Sequence, residues 1–229
     1  MRMNICNFNS SLFGRVGKLM LIVTLLSLCA FAARPFPAQD AHQHHNHMPP
    51  DKGAEEKIDV GNSSIPDVVL LNQRGERVHV YSDLIKDHVV AINTIFTTCT
   101  TICPPMGANF SKLQKLMGHR MDKEIRLISI SVDPVTDTPQ RLKAWSEKFH
   151  AGPGWTLLTG PKQEVDKLLK ALKVFTADKW DHAPTVLVGS ENSTEWTRAY
   201  GLASPSKLAE IITQAIEQEA KKSPSKENH

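Results

Sequence analysis

Between Val89 and Phe96 the chain reads VVAINTIF, and it runs without a break into CTTICPP. A nearly continuous, β-branched apolar run of this length is what a strand buried on both faces looks like. The two prolines that close the segment suit the opening of a helix, which Phe110, Leu113 and Met117 extend along one face to about residue 117. Strand, cysteine pair and helix in that order fix the centre of the fold. The remaining elements follow by pattern. Strands are expected at 67–71 and 76–80 around the turn Asn72-Gln73-Arg74-Gly75, and then at 125–132, 155–158, 185–188 and 195–199. Helices are expected from Thr138-Pro139 to about Phe149, around Val165, Leu168, Leu169 and Leu172, and from Ser204-Pro205 with Leu208, Ile211, Ile212 and Ile216 inward. Strands alternating with helices imply an α/β fold, a mixed central sheet covered on both faces.

The ends of the chain have a different character. Arg15 and Lys18 precede the apolar stretch from Leu19 to Ala33, and Ala30-Phe31-Ala32 offers an A-x-A cleavage site. Residues 1–32 therefore read as a signal peptide, or, if retained, as an N-terminal anchor over 19–33. Either way the rest is placed in the periplasm. A lipoprotein signal is disfavoured because Leu28 stands before Cys29. Residues 33–58 read as a flexible linker, with His42, His44, His45, His47 and Met48 forming a polar tether or a weak metal-collecting arm. The folded domain is expected over 59–222 and a disordered tail over 223–229. Arg2, Arg15 and Lys18 account for the whole excess of 27 basic over 24 acidic residues. The domain therefore lacks the basic footprint that nucleic-acid binding requires.

Of four cysteines, Cys6 and Cys29 fall in the leader, which leaves Cys99 and Cys103. A disulfide between them would close a very short loop and so stabilise little. Chemistry is the better explanation of the pair. Pro104 disfavours helical geometry at Cys103, so both cysteines are expected in a loop feeding the helix, where the helix N-terminus favours reactive thiolates.

FTTCTTICPPM (96–106), SVDPVTDTP (131–139), WTLLTG (155–160) and WDHAPTVLV (180–188) resemble the Sco/SenC family of the thioredoxin superfamily, over roughly residues 60–220. The resemblance implies a thioredoxin-like fold with an N-terminal β-hairpin extension. It also implies one copper ion, Cu(I) or Cu(II), bound by Cys99, Cys103 and His182. Soft thiolates with an imidazole suit copper, whereas a structural zinc site would ask for four protein ligands. Asp181 is a candidate to orient His182, and Asp133 to stand near the site; Trp180 either shields it or packs, and Met106 belongs to the core. The implied role is a metallochaperone. It would deliver copper to the binuclear copper site of cytochrome c oxidase, or reduce that site's cysteines, with the copper-site subunit or another copper chaperone as partner. The alternative is a periplasmic thiol–disulfide oxidoreductase or thioredoxin-like peroxidase, served by a thiol–disulfide reductant. Two features depart from the family pattern. Thr100-Thr101 stand where many members have Pro-Asp, and Ala183-Pro184-Thr185 resembles the cis-proline turn that faces thioredoxin cysteines, which points to redox use of Cys99 and Cys103.

Overall fold

A computed structural model describes residues 54–60, 65–193, 195–200 and 202–222. The leader, the histidine tract and the 223–229 tail lie outside the described residues. The apolar run at the centre forms β4 (Val89–Ile95), and all seven of its side chains are buried. It lies between β5 (Ile125–Ser131), which runs parallel to it, and β7 (Thr185–Ser190), which runs antiparallel. β6 (Trp155–Thr159) continues the parallel part beyond β5. β2 (Val69–Asn72) and β3 (Arg77–His79) form the expected hairpin and join the sheet through β2 and β6. Its turn depends on Gly75 at φ +81°, while the Asn72 side chain accepts from the N–H groups of Arg74 and Glu76.

At the other end β8 (Glu195–Tyr200) pairs with β7, and β1 (Glu55–Asp59) pairs with β8. The order of the eight strands is therefore β1-β8-β7-β4-β5-β6-β2-β3. β1 is a correction to the sequence reading, which left residues 55–58 in the linker. Only Ile58 of its five side chains is buried, so no apolar alternation marks it. The strand beginning at Arg77 ends at His79, because Val80–Ile85 turns into a short π-helix.

Alternation along the strands feeds two cores. On one face Ala91, Ile95, Leu127 and Trp155 meet the helices α1 (Cys103–Met117), α2 (Pro139–Lys148) and α4 (Pro205–Lys222). On the other face Ile92, Ile128 and Leu158 meet α3 (Lys162–Ala171). α2 and α4 begin where their Ser/Thr-Pro pairs indicate. The Thr138 hydroxyl accepts from the Arg141 N–H, and the Ser204 hydroxyl from the Lys207 N–H. Among the described residues no helix is long and apolar enough to cross a membrane.

Candidate metal centre

The site lies where β4 gives way to α1 and where the chain enters β7. After Phe96 the chain turns, with the Cys99 N–H donating to the Phe96 carbonyl at 3.1 Å. Cys103 is the first residue of α1, not a loop residue, which corrects the expectation drawn from Pro104. The first turn of a helix has N–H groups with no intrahelical acceptor, so prolines at its second and third positions cost nothing there. The free N–H of Cys103 points back and donates to Cys99 Sγ at 3.3 Å. Both cysteines are reduced and buried.

That geometry makes the two thiols unequal, which corrects the expectation that both would be reactive. Burial pushes Cys99 up, but hydrogen bonds from the Cys103 N–H, the Cys103 thiol and Thr101 outweigh it and bring the group down to about 7. Cys103 has no exposure, and burial, with the neighbouring Cys99 and the charge of Asp137, pushes it up to about 12. The helix N-terminus thus stabilises the thiolate of Cys99, not that of the residue it contains. Of the two domain thiols, Cys99 and Cys103, we expect iodoacetamide to label one in the reduced, metal-free protein, with a rate that rises with pH through a midpoint near 7. Mass mapping should place the label on Cys99. Equal labelling of both thiols, with a midpoint near the ~8.5 of a free cysteine, would contradict this asymmetry.

His182 follows a short 3₁₀ turn, Lys179–Asp181, and is 7% exposed. Its Nδ1 lies 2.6 Å from the Lys179 carbonyl. A carbonyl only accepts, so Nδ1 carries the proton and Nε2 presents its lone pair to Cys103 Sγ, 4.0 Å away. Burial, which favours the neutral ring, holds the imidazole below its ordinary range, against the opposing pull of the Lys179 carbonyl. Phe96 meets the ring edge-on at 5.4 Å.

The sequence candidates around His182 separate. Asp181 is exposed, and the imidazole is oriented by the Lys179 carbonyl instead. Asp133 does stand near the site. Its carboxylate accepts from Lys179 Nζ at 2.6 Å, which ties the His182 segment to the end of β5, and its carbonyl accepts from Thr136 and Asp137 N–H groups. Burial pushes the Asp133 carboxyl up, but the bond from Lys179 and those from Thr136 hold it below the usual range. Pro184 is half-buried and follows a trans bond, since the described residues contain no cis peptide. The expected cis-proline turn is therefore absent there. Trp180 is 64% exposed and packs edge-on to Phe96 at 5.0 Å, and Met106 is buried in the core. Lys179, Phe96, Thr97 and Asp137 were missed as site residues. Asp137 had one available signal, its place within SVDPVTDTP directly before the helix cap.

Two thiols and an imidazole are a donor set that fits a soft metal ion. The 4.0 Å between Cys103 Sγ and His182 Nε2 lies within the ~4.3–4.4 Å that one ion bonded to both could span, by analogy with zinc bond lengths. The donors are neighbours, not a finished cage. Among the described residues no three Cys, His, Asp or Glu side chains are already grouped to hold a metal.

A SCO1/SenC family model matches residues 60–217. A SCO1 protein homolog from Bacillus subtilis is 38% identical over 128 residues, 55% of this chain and 63% of the relative, so the match spans less than two thirds of that protein. A SCO1/SenC family lipoprotein from Bacillus anthracis is similar in structure at TM-score 0.55 and 26% identity, covering 65% of this chain and 92% of that one. BsSco is described as a member of the Sco family of cytochrome c oxidase assembly proteins in which a disulfide switch was identified. It is similar at TM-score 0.54 and 27% identity, covering 67% of this chain and 93% of its own. Bradyrhizobium japonicum ScoI, solved with copper bound, shares the fold at TM-score 0.53 and 24% identity, covering 64% and 96%. The fold is thus the thioredoxin-like α/β arrangement expected from the sequence. Because the matched span exceeds half of its length, this chain belongs to the SCO1/SenC family.

Proposed function

We propose that this protein binds one copper ion through Cys99, Cys103 and His182 and serves the assembly of cytochrome c oxidase. The observation that carries the reading is the imidazole. Its Nδ1 is committed to the Lys179 carbonyl, and its Nε2 faces Cys103 Sγ at 4.0 Å. Disulfide exchange has no use for a buried, neutral imidazole held in that tautomer, whereas a metal ligand needs it. Membership of the family supports the reading, as do the relatives described as copper-bound or as oxidase assembly proteins. When bound, the copper would be cargo. Cys99 is poised to supply a thiolate near neutral pH, His182 supplies a lone pair without deprotonation, and Cys103 gives up a proton on ligation. The finer reading is delivery to the binuclear copper site of the oxidase, with that site's subunit or another copper chaperone as partner. It puts the protein outside the cytoplasm, with residues 1–32 as signal peptide or, if retained, an anchor over 19–33; the related lipoprotein is consistent with this.

A second reading, reduction of the acceptor's cysteines, is favoured by the unequal thiols. Thiolate Cys99 would attack an acceptor disulfide and release one thiol. Cys103, after losing its proton, would attack the mixed disulfide and release the second. The acceptor gains two electrons and this chain is left with a Cys99–Cys103 disulfide that a thiol reductant must reopen. His182→Ala separates the two readings. Under delivery, cells carrying it should fail to assemble active oxidase, measured as oxidase activity in membranes, although the disulfide still forms. Normal assembly in His182→Ala cells, with failure in cells lacking either cysteine, would leave reduction as the function.

A further inference from the structure

Asp137 has no exposure, yet its carboxylate accepts from neutral groups. The Thr97 N–H donates to its two oxygens at 3.2 and 3.1 Å, and the Thr97 hydroxyl donates to one of them. The Ser131 hydroxyl donates to the other at 2.6 Å. The Asp137 backbone adds two more ties. Its N–H donates to the Asp133 carbonyl at 2.9 Å, and its carbonyl accepts from the Thr159 hydroxyl at 2.6 Å. Arg141 Nε, from the first turn of α2, donates to the Thr97 hydroxyl at 3.0 Å. One residue therefore gathers the ends of β4, β5 and β6 and the start of α2.

Thr97 is the consequential member of this cluster. It stands two residues before Cys99, in the turn that leaves β4. The turn is held at its far end by the Cys103 N–H bond to Cys99 Sγ, and at its near end by Asp137. Burying a carboxylate is costly unless its hydrogen bonds are made, and the packing of Thr97 and Ser131 around it makes them. The turn as it stands satisfies all of them. We propose that Asp137 is a positioning residue for the metal centre, fixing Thr97 and thereby the place of Cys99 beside Cys103. Its purpose rests on the copper reading, but the fixing of Cys99 is a property of the metal-free protein.

The test compares Asp137→Ala and Asp137→Asn with Val165→Ala, a core truncation on the opposite face of the sheet, all in the full chain, reduced and metal-free. Amide hydrogen exchange by NMR reads the Thr97 and Cys103 N–H groups directly. In Asp137→Ala both should exchange faster by ~10-fold or more, the scale set by removing one buried partner, while Ile92 in β4 keeps its protection. Asp137→Asn keeps an oxygen for the Thr97 N–H and should fall nearer to wild type. It also serves as the readout if the alanine variant does not fold. Val165→Ala should lower the melting temperature without singling out these two amides. Unchanged exchange at Thr97 and Cys103 in both Asp137 variants, or equal acceleration in Val165→Ala, would overturn the proposal. Titration of the same proteins with Cu(I) keeps the two readings apart. Affinity should fall ~10–100-fold in Asp137→Ala, as for other residues that orient ligands. Wild type that binds no copper, with the exchange changes present, would remove the copper reading and leave the positioning role standing.

Discussion

Anaerobic titration of the reduced wild-type chain with Cu(I) is expected to saturate at one tightly bound ion, and Cys99→Ser or Cys103→Ser is expected to weaken that binding by more than ~100-fold. Losing a residue that merely orients a ligand costs ~10–100-fold, so losing a thiolate ligand should cost more. A serine hydroxyl does not ionise near neutral pH, and it is a hard oxygen where a soft sulfur is wanted. The two variants should nevertheless differ when free of metal. Cys103→Ser keeps the backbone N–H that donates to Cys99 Sγ, so Cys99 should still be alkylated with a midpoint near 7. Cys99→Ser leaves the buried Cys103 as the one thiol of the domain, and Cys103 should resist alkylation across the neutral range. Wild-type-like copper affinity in either serine variant would remove that cysteine from the site.

Trp155→Ala is expected to be the most destabilising single truncation in the core. The indole is 1% exposed, lies 5.6 Å from the Phe110 ring and 6.1 Å from the Trp145 ring, and donates from Nε1 to the Ser129 hydroxyl at 3.0 Å. It fills the space between the sheet and the helices α1 and α2. Removing a side chain of this size costs ~3–5 kcal/mol, because the surroundings cannot close over the gap. For a chain of this length that corresponds to a fall in melting temperature of roughly 6–20 °C, at ~2–4 °C per kcal/mol. Calorimetry of the reduced protein measures it directly. A loss below ~1 kcal/mol would mean that this face is not packed as described.

Legibility in the sequence followed locality. β4, the helix that begins with the second cysteine, and the caps at Thr138 and Ser204 were readable because each is marked by neighbours along the chain. β1 was not, because its evidence lies far away. Lys57 Nζ donates to the Thr197 hydroxyl across 140 positions, and four of the strand's five side chains are exposed. The family motif indicated Cys99, Cys103 and His182 together. The difference between the two thiols was hidden, since it depends on which sulfur faces the Cys103 N–H and which is sealed from water. Asp181 adjoins His182 and looked like the residue that orients it, but the 3₁₀ turn brings the Lys179 carbonyl to Nδ1. A carbonyl leaves no trace in a side-chain motif.

β1 has a consequence for handling the isolated domain. Its outward residues Glu55, Glu56, Lys57 and Asp59 are charged and exposed, and the strand covers β8, where Trp196, Thr197 and Ala199 are buried. A charged strand at the rim of a sheet discourages a second molecule from adding to it. The family match begins at residue 60, immediately after this strand. A fragment cut to that boundary would fold without its guard and leave the backbone of β8 open for pairing. Such a fragment would be prone to stick to its own kind, and a boundary set before Ala54 keeps that edge closed.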